Sequence, residues 1–380
     1  MNQYNRDQVT VCNYCVMDDS IESIRFDHNG MCNCCRPAVA RRTYEYWPDE
    51  VGASKLSKII SSIKNDRKRN DYDCIMGLSG GIDSSYLAHL IVEEFGLRPL
   101  AVHVDGGWNS APAVKNIYSL VSKLDIDLFT HVVEWSEMQS LQTAFLRSHV
   151  QNQDIPQDHV FFSVLHKQAI ERGIKYFLSG DNYATESVIP PLLGHSYMDS
   201  NHLRAINKRF GSKPLSQYES MSFLKFLYHS RIRKSLKVIR PLNYTEYSKD
   251  SAMKLLKEKY GWVDYGGKHH ESRFTQFYEL VYLPQKFGFD KRKLHLSSLI
   301  VSGQITREEA LKILHNESID SVKTFFITKF VAKKLNLSLE DLNNLIKAPP
   351  IPHTQYPNTK WLLKLLVKLK KILGLGDGSV

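Results

Sequence analysis

The sequence predicts an α/β protein: a mostly parallel sheet with helices on both faces, flanked by a cysteine-rich N-terminal module and a mostly helical C-terminal region. Three observations carry this. Short apolar runs of strand length alternate with amphipathic helical stretches between residues 74 and 242, the signature of βαβ units. A glycine–serine turn, Ser79-Gly80-Gly81, sits between the first strand and the first helix of that series. Beyond residue 243 strand patterns stop and helical periodicity takes over.

Taken in order, residues 1 to 40 form the cysteine module, and 41 to 70 read as a linker and a basic amphipathic helix (VGASKLSKIISSIKNDRKRN). CIMGL is a buried strand. SSYLAHLIVEEFG is a helix that Gly96 ends. RPLAVHVD, LFTHVVE and KYFLSG are the next strands, and LKVIRPL (236–242) is a fifth. APAVKNIYSLVSKL, MQSLQTAFLRSHV and FFSVLHKQAIERG supply helices between them. The expected divisions are 1–40, a sheet domain over 41–245, a helical region over 246–348, and a proline-rich linker with a basic amphipathic helix over 349–380.

Composition narrows the class. With 42% hydrophobic and 11% aromatic residues the chain can fill real cores. It holds no charge-free apolar run of spanning length and no signal-peptide pattern at its start, so a cytoplasmic protein is expected. The net charge of +10 favours anionic partners without choosing among them. Lys360, Lys364, Lys368 and Lys371 share one face of the last helix, a pattern that suits peripheral contact with the inner face of a membrane; docking on a protein core is the blander alternative.

Five of the six cysteines lie between positions 12 and 35. Cys12-x2-Cys15-x16-Cys32-x2-Cys35 matches paired zinc-knuckle spacing, in which each x2 turn offers two thiolates to one Zn²⁺. Cys34 makes the second pair ambiguous; Cys32 with Cys35 is the symmetric choice. A redox dithiol or an iron–sulfur centre is the alternative.

A strand that runs into a glycine-rich turn and then a helix is an anion cradle, because glycine admits close approach and the helix start offers free N–H donors. Ser79, Ser84 and Ser85 add hydroxyls, and Asp83 fits a phosphate site once Mg²⁺ accompanies the phosphates. Neither a Walker ending nor a Gly-x-Gly-x-x-Gly pattern is present. Ser79-Gly80-Gly81-Ile82-Asp83-Ser84 resembles the pyrophosphate loop of the PP-loop ATP pyrophosphatases, whose HUP-like sheet binds ATP. That resemblance implies that Val104 and Asp105, and Ser179, Gly180, Asp181 and Asn182, line the same cleft.

Three further segments, CNYCVMDDS…FDHNGMCNCC, YGGKHHESRFTQFYE (265–279) and KRKLHLSSLIVSGQITREEAL (291–311), resemble the N-acetyl sugar amidotransferases related to WbpG and PseA. The resemblance runs from about residue 9 to about 345. It implies conversion of an N-acetyl group of a bacterial surface-polysaccharide sugar, free or nucleotide-linked, to an acetamidino group. ATP would be consumed through an adenylated intermediate, and ammonia supplied by a separate glutaminase with a cyclase-like companion. Lys268, His270 and Arg273 are the expected charge-neutralising and proton-transfer groups beside Asp83, and Lys291 to His295 offer further cations. The rival reading is a tRNA-thiolating PP-loop enzyme, which needs an exposed cysteine near the loop; Cys74, within a buried strand, fits poorly, and nucleic acid is not the expected partner. A non-catalytic zinc-bearing binding module is a second rival, which the intact cradle argues against.

Overall fold

The computed structural model describes residues 9–362 and 365, except 22, 67–70, 191, 192, 194, 230–235 and 317–319. The reading of 363–380 as an amphipathic helix therefore lies almost wholly outside the described residues. Among these, no helix is long and apolar enough to cross a membrane.

Two helices precede the sheet, α1 (Cys35–Glu45) and α2 (Glu50–Asn65). The sheet region follows as β1 (Cys74–Gly77), α3 (Ile82–His89, continued by a π turn over Leu90–Glu94), β2 (Pro99–Asp105), α4 (Ala111–Leu124), β3 (Asp127–Val132), α5 (Trp135–Ser148), α6 (Ile155–Glu171), β4 (Tyr176–Leu178), α7 (Tyr183–Glu186), α8 (Ser200–Phe210), α9 (Phe223–Leu227) and β5 (Lys237–Ile239). Helices complete the chain: α10 (Lys249–Tyr260), α11 (Arg273–Phe277, leading through a π turn into α12, Leu283–Phe287), α13 (Arg292–Ser302), α14 (Arg307–Asn316), α15 (Ser321–Lys334) and α16 (Leu339–Lys347).

The five strands are all parallel, in the order β3-β2-β1-β4-β5. β1 pairs with β2 through Ile75 opposite Leu100 and with β4 through Ile75 opposite Phe177. Chain direction across the sheet reverses between β1 and β4, so a crevice opens beyond their carboxyl ends. One face packs Met76 and Leu78 against Ile60 of α2, Leu87 of α3, Leu120 of α4 and Leu256 of α10. The other packs Ile75, Val102 and Phe177 against Leu141 of α5, Val164 of α6 and Leu203 of α8. Strands covered on both faces must be apolar throughout, and β1 reads that way.

α8, left unread in the sequence, has a short apolar stripe around Leu203 and Ile206, and its start is set by Asp199, whose side chain accepts from the His202 amide. The expected linker after residue 41 is shorter than read, because α1 runs to Glu45. The cysteine module and the C-terminal helices share one hydrophobic core: Cys12, Cys32 and Cys35 lie in it with Phe277, Tyr282, Leu294, Val331 and Ile346.

Candidate active site and metal centre

The turn after β1 forms a cradle. Gly80 adopts φ +79, and a Cβ there would meet the Ala113 carbonyl oxygen at 2.4 Å, so both conformation and space require glycine. Gly81 stands at the start of α3 with no side-chain cap, and the first helical amide, that of Ile82, donates to the Tyr265 hydroxyl. Ser79 Oγ accepts from the Gly81 amide at 3.2 Å and lies 3.3 Å from Ser84 Oγ. The loop after β4 closes on this turn: a Cβ on Gly180 would stand 3.3 Å from the Ser84 nitrogen.

A cavity of about 390 Å³ opens here. Ser79, Gly81, Asp83, Ser84, Val104, Ser179, Gly180, Asp181 and Lys268 line it. Gly80 shapes the turn from behind, and Ser85 is fully buried in α3. Asp105 does not line the cavity; its carboxylate accepts from the Gly107 amide and from Asn109 Nδ2, which fixes the loop after β2. Asn182 caps α7 by accepting from the Thr185 amide.

Asp83 accepts a short hydrogen bond from the Tyr247 hydroxyl, and its other oxygen lies 3.5 Å from Lys268 Nζ. Lys268 also reaches Glu186 at 2.8 Å and donates to Thr185 Oγ1 at 2.7 Å. Burial pulls this ammonium down, but the Glu186 and Asp83 carboxylates outweigh it and hold its pKa above the ordinary value. Lys268 stays a cation at the cradle's edge.

A second cavity, of about 640 Å³, adjoins the first. Asp154, Asp158, Glu186, Lys249, Lys268, His269 and Lys291 face both. Lys291 Nζ lies 2.6 Å from Glu279 Oε1; burial opposes its charge, and Glu279 with Asp154 holds it on. His270 and His295 line the second cavity, and burial pushes each imidazole down to about 4, so both are neutral. Arg273 lines neither cavity: its amide donates to the Trp108 carbonyl and its guanidinium to Gln276. Lys291, from the KRKLH segment, joins Lys249 and Lys268 on the common wall.

In the sequence Glu271 is one of the His or Glu groups of GGKHHESRF open to proton transfer, whereas the pattern gives Asp154, Asp158 and Tyr265 no role. Glu271 accepts from Ser79 Oγ at 3.2 Å, and its Oε2 is buried without a hydrogen-bond partner. Its carboxyl is pushed up to about 7, chiefly by burial. Asp154 and Asp158 lie at the start of α6, which opens at Ile155, six residues before the helix expected from FFSVLHKQAIERG. Burial raises Asp158 to about 8, and the neighbouring Asp154 charge adds to it. Tyr265 reaches back to accept from the Ile82 amide at 3.2 Å.

In the N-terminal module Cys12, Cys15, Cys32 and Cys35 converge, all buried. Their Sγ atoms stand 3.6 Å apart for 12–35 and 15–32, and 3.4 Å for 32–35. Four thiolates about 2.3 Å from one tetrahedral ion lie roughly 3.8 Å from each other, so this set fits a single ion. Backbone amides of Tyr14 and Cys32 point at Cys12 Sγ, which suits thiolate charge. Cys34 is not one of the four; its thiol donates to Asn33 Oδ1 at 3.7 Å. Arg307 donates to the carbonyls of Cys12 and Cys15, tying the module to α14.

A second cluster, His195, His202 and His353, is not built for an ion. The rings of His195 and His353 stack at 5° and 4.6 Å, so their in-plane lone pairs cannot meet at one point. Asn152 N–H donates to His353 Nε2, which leaves Nδ1 as the donor toward His202 Nε2 at 2.9 Å.

Part of the chain is similar to a known family. Residues 271–370 match the family described as "LPS biosynthesis protein WbpG-like, C-terminal domain". An uncharacterized protein of Methanocaldococcus jannaschii is 22% identical over 314 residues, covering 81% of this chain and 94% of its own. Among solved structures, NMN synthetase from Francisella tularensis is 14% identical with a TM-score of 0.35, covering 81% of this chain and 99% of its own. The U34-tRNA thiolase NcsA from Methanococcus maripaludis, solved with its [4Fe-4S] cluster, is 14% identical with a TM-score of 0.34, covering 82% and 90%.

Proposed function

We propose that this chain, whose residues 271–370 form a WbpG-like C-terminal domain, is an ATP-dependent amidotransferase that converts the N-acetyl group of a sugar, free or nucleotide-linked, to an acetamidino group. The observation that carries the reading is the pairing of two cavities. One opens on the turn beyond β1 and the loop after β4; the other takes about half of its lining from residues 271–370; they meet along a wall bearing Lys268 and Lys291.

An amide carbonyl is a poor electrophile and its oxygen a poor leaving group. Adenylation repairs both faults. The carbonyl oxygen attacks the α-phosphorus of ATP, an O–P bond forms, the bond to pyrophosphate breaks and the amide proton is lost. Ammonia then adds to the imidate carbon, AMP departs with the former amide oxygen, and the acetamidino group remains. The chain's part is positioning and charge: cradle amides and the hydroxyls of Ser79 and Ser84 for the pyrophosphate end, Lys268 and Lys291 for charge developing at the wall. Asp83 would hold Mg²⁺, whose charge would offset that of the phosphates.

The four-cysteine centre suits structural Zn²⁺. Thiolates around a cubane cluster each bind a different iron and stand further apart than these do, which favours one ion over the centre named for the tRNA thiolase. All six cysteines are buried and none lines either cavity, which speaks against a sulfur-carrying cysteine. No glutaminase-like nucleophile is left among them, so ammonia would come from a partner glutaminase.

Incubation with MgATP, ammonium and a panel of N-acetyl and nucleotide sugars should yield AMP, pyrophosphate and a product about one mass unit lighter. With ¹⁸O in the acetyl carbonyl, the label should appear in AMP. ADP formation, or label retained in the sugar, defeats the proposal.

A further inference from the structure

We propose that Glu271 is the proton-carrying gate of the anion cradle: its carboxyl shares the site with the pyrophosphate end of the nucleotide only as the neutral acid, so anion binding takes up one proton there. This rests on the cradle reading given above.

The geometry places the carboxyl in the cradle, not beside it. Glu271 Oε1 receives the Ser79 hydroxyl at 3.2 Å and would stand 2.8 Å from a Cβ built on Gly81. It thus lies over the backbone that must face an incoming phosphate. Its Oε2 is buried with no hydrogen-bond partner, a costly state for a carboxylate and an ordinary one for a hydroxyl about to donate.

The main chain leaves little room for retreat. The Ser110 amide donates to the Glu271 carbonyl at 2.7 Å, Asn109 and Ser272 form a β-bridge, and the Arg273 amide donates to Trp108 at 2.7 Å. Residue 271 is therefore pinned to the loop after β2 while its side chain fills the cradle. An ionised carboxylate against a polyphosphate in a poorly solvated site is repulsive; the neutral acid becomes a donor to the same oxygens. Ionisable groups facing it point the same way: Asp83 from the cradle and Glu279 from the turn after α11 both disfavour its ionisation, and the phenol of Tyr265 lies on its own loop. Burial, the largest cause, brings its titration to about 7. After reaction, loss of that proton leaves a carboxylate that repels pyrophosphate and discourages rebinding.

The test uses the full-length protein and inorganic pyrophosphate with Mg²⁺, followed by calorimetry between pH 6 and 8.5 in buffers of different ionisation enthalpy. Wild type should bind most tightly near pH 6. Its affinity, taken relative to Glu271→Gln, should fall by a factor approaching tenfold per pH unit above about 7. Glu271→Gln keeps the shape and the neutral state, so it reports the titration of the probe alone. Wild type at pH 8.5 should take up close to one proton more than the variant, and more than wild type itself at pH 6, a comparison that needs no variant. Equal pH profiles in the two proteins, or a proton count in wild type that does not rise with pH, overturn the role of Glu271 while leaving the cradle intact. Failure of both proteins to bind pyrophosphate overturns the cradle reading as well.

Discussion

The two cavities are built on opposite principles. The cradle side is local: a strand, a four-residue turn and a helix contiguous in sequence bring Ser79 to Ser84 into place, and the parallel sheet adds the loops after β2 and β4. The second side takes its own lining from distant segments, Asn152 before α6, His270 on a loop, Glu279 after α11, His295 on α13 and Lys323 on α15, and the wall common to both cavities is equally scattered. The contrast teaches that a phosphate site can be written in one stretch of chain, since backbone amides do the binding, whereas a chamber for a second substrate needs side chains from several layers.

Mutations can break that contrast. Asp83→Ala should have the largest effect, abolishing ATP-dependent AMP release, a loss of about 10³-fold or more in kcat, together with weakened Mg-pyrophosphate binding. Full turnover in this variant would remove the cradle assignment. Next comes Cys32→Ser. Metal content should fall from one ion per chain to none, and the melting temperature should drop by about 10 °C or more, because the module shares a core with the helices of the second chamber. Two ions per chain in wild type would contradict the reading of the histidine cluster.

Lys291→Met sharpens the comparison. Pyrophosphate affinity should stay within about threefold while sugar-dependent turnover falls about 10²-fold, since the lost cation belongs to the common wall. Parallel loss of both would merge the two chambers into one functional unit. The smallest effect is on stability. Asp158 has a folded-state pKa of about 8 against an ordinary 3.8, so the folded protein holds a proton that the unfolded chain has released. Stability therefore declines as pH rises from about 4 to about 8, and Asp158→Asn should flatten that decline and raise the melting temperature more at pH 8 than at pH 5. Equal shifts at both pH values would place the carboxyl in solvent.

Much of the sheet was legible because its inner strands β1 and β2 are largely apolar runs; α4 is bounded as its sequence pattern predicts, from Ala111 to Leu124, whereas α6, with no side-chain cap, opens at Ile155, six residues before the expected start. Cys35 over Cys34 could be proposed only from symmetry, and the structure brings Cys35 into the quartet because its side chain turns inward while Cys34 sits outside the start of α1. Glu271 was visible as one ionisable residue among five in GGKHHESRF, but nothing in that run says which of them meets Ser79. Arg273 looked equivalent to Lys268, yet as the first residue of α11 it turns to Gln276 while Lys268 reaches the cradle's edge.

By itself the sequence determined the parallel α/β order, the phosphate-binding turn and the paired cysteine spacing, because each depends on residues within a few positions of one another. Only the tertiary structure decided that Glu271 meets Ser79 across 192 positions, that Lys291 stands on a wall common to both cavities, and that the metal module and the C-terminal helices form one core. Those pairings follow from how packed layers bury apolar faces, and local pattern carries no record of which distant polar groups that burial brings face to face.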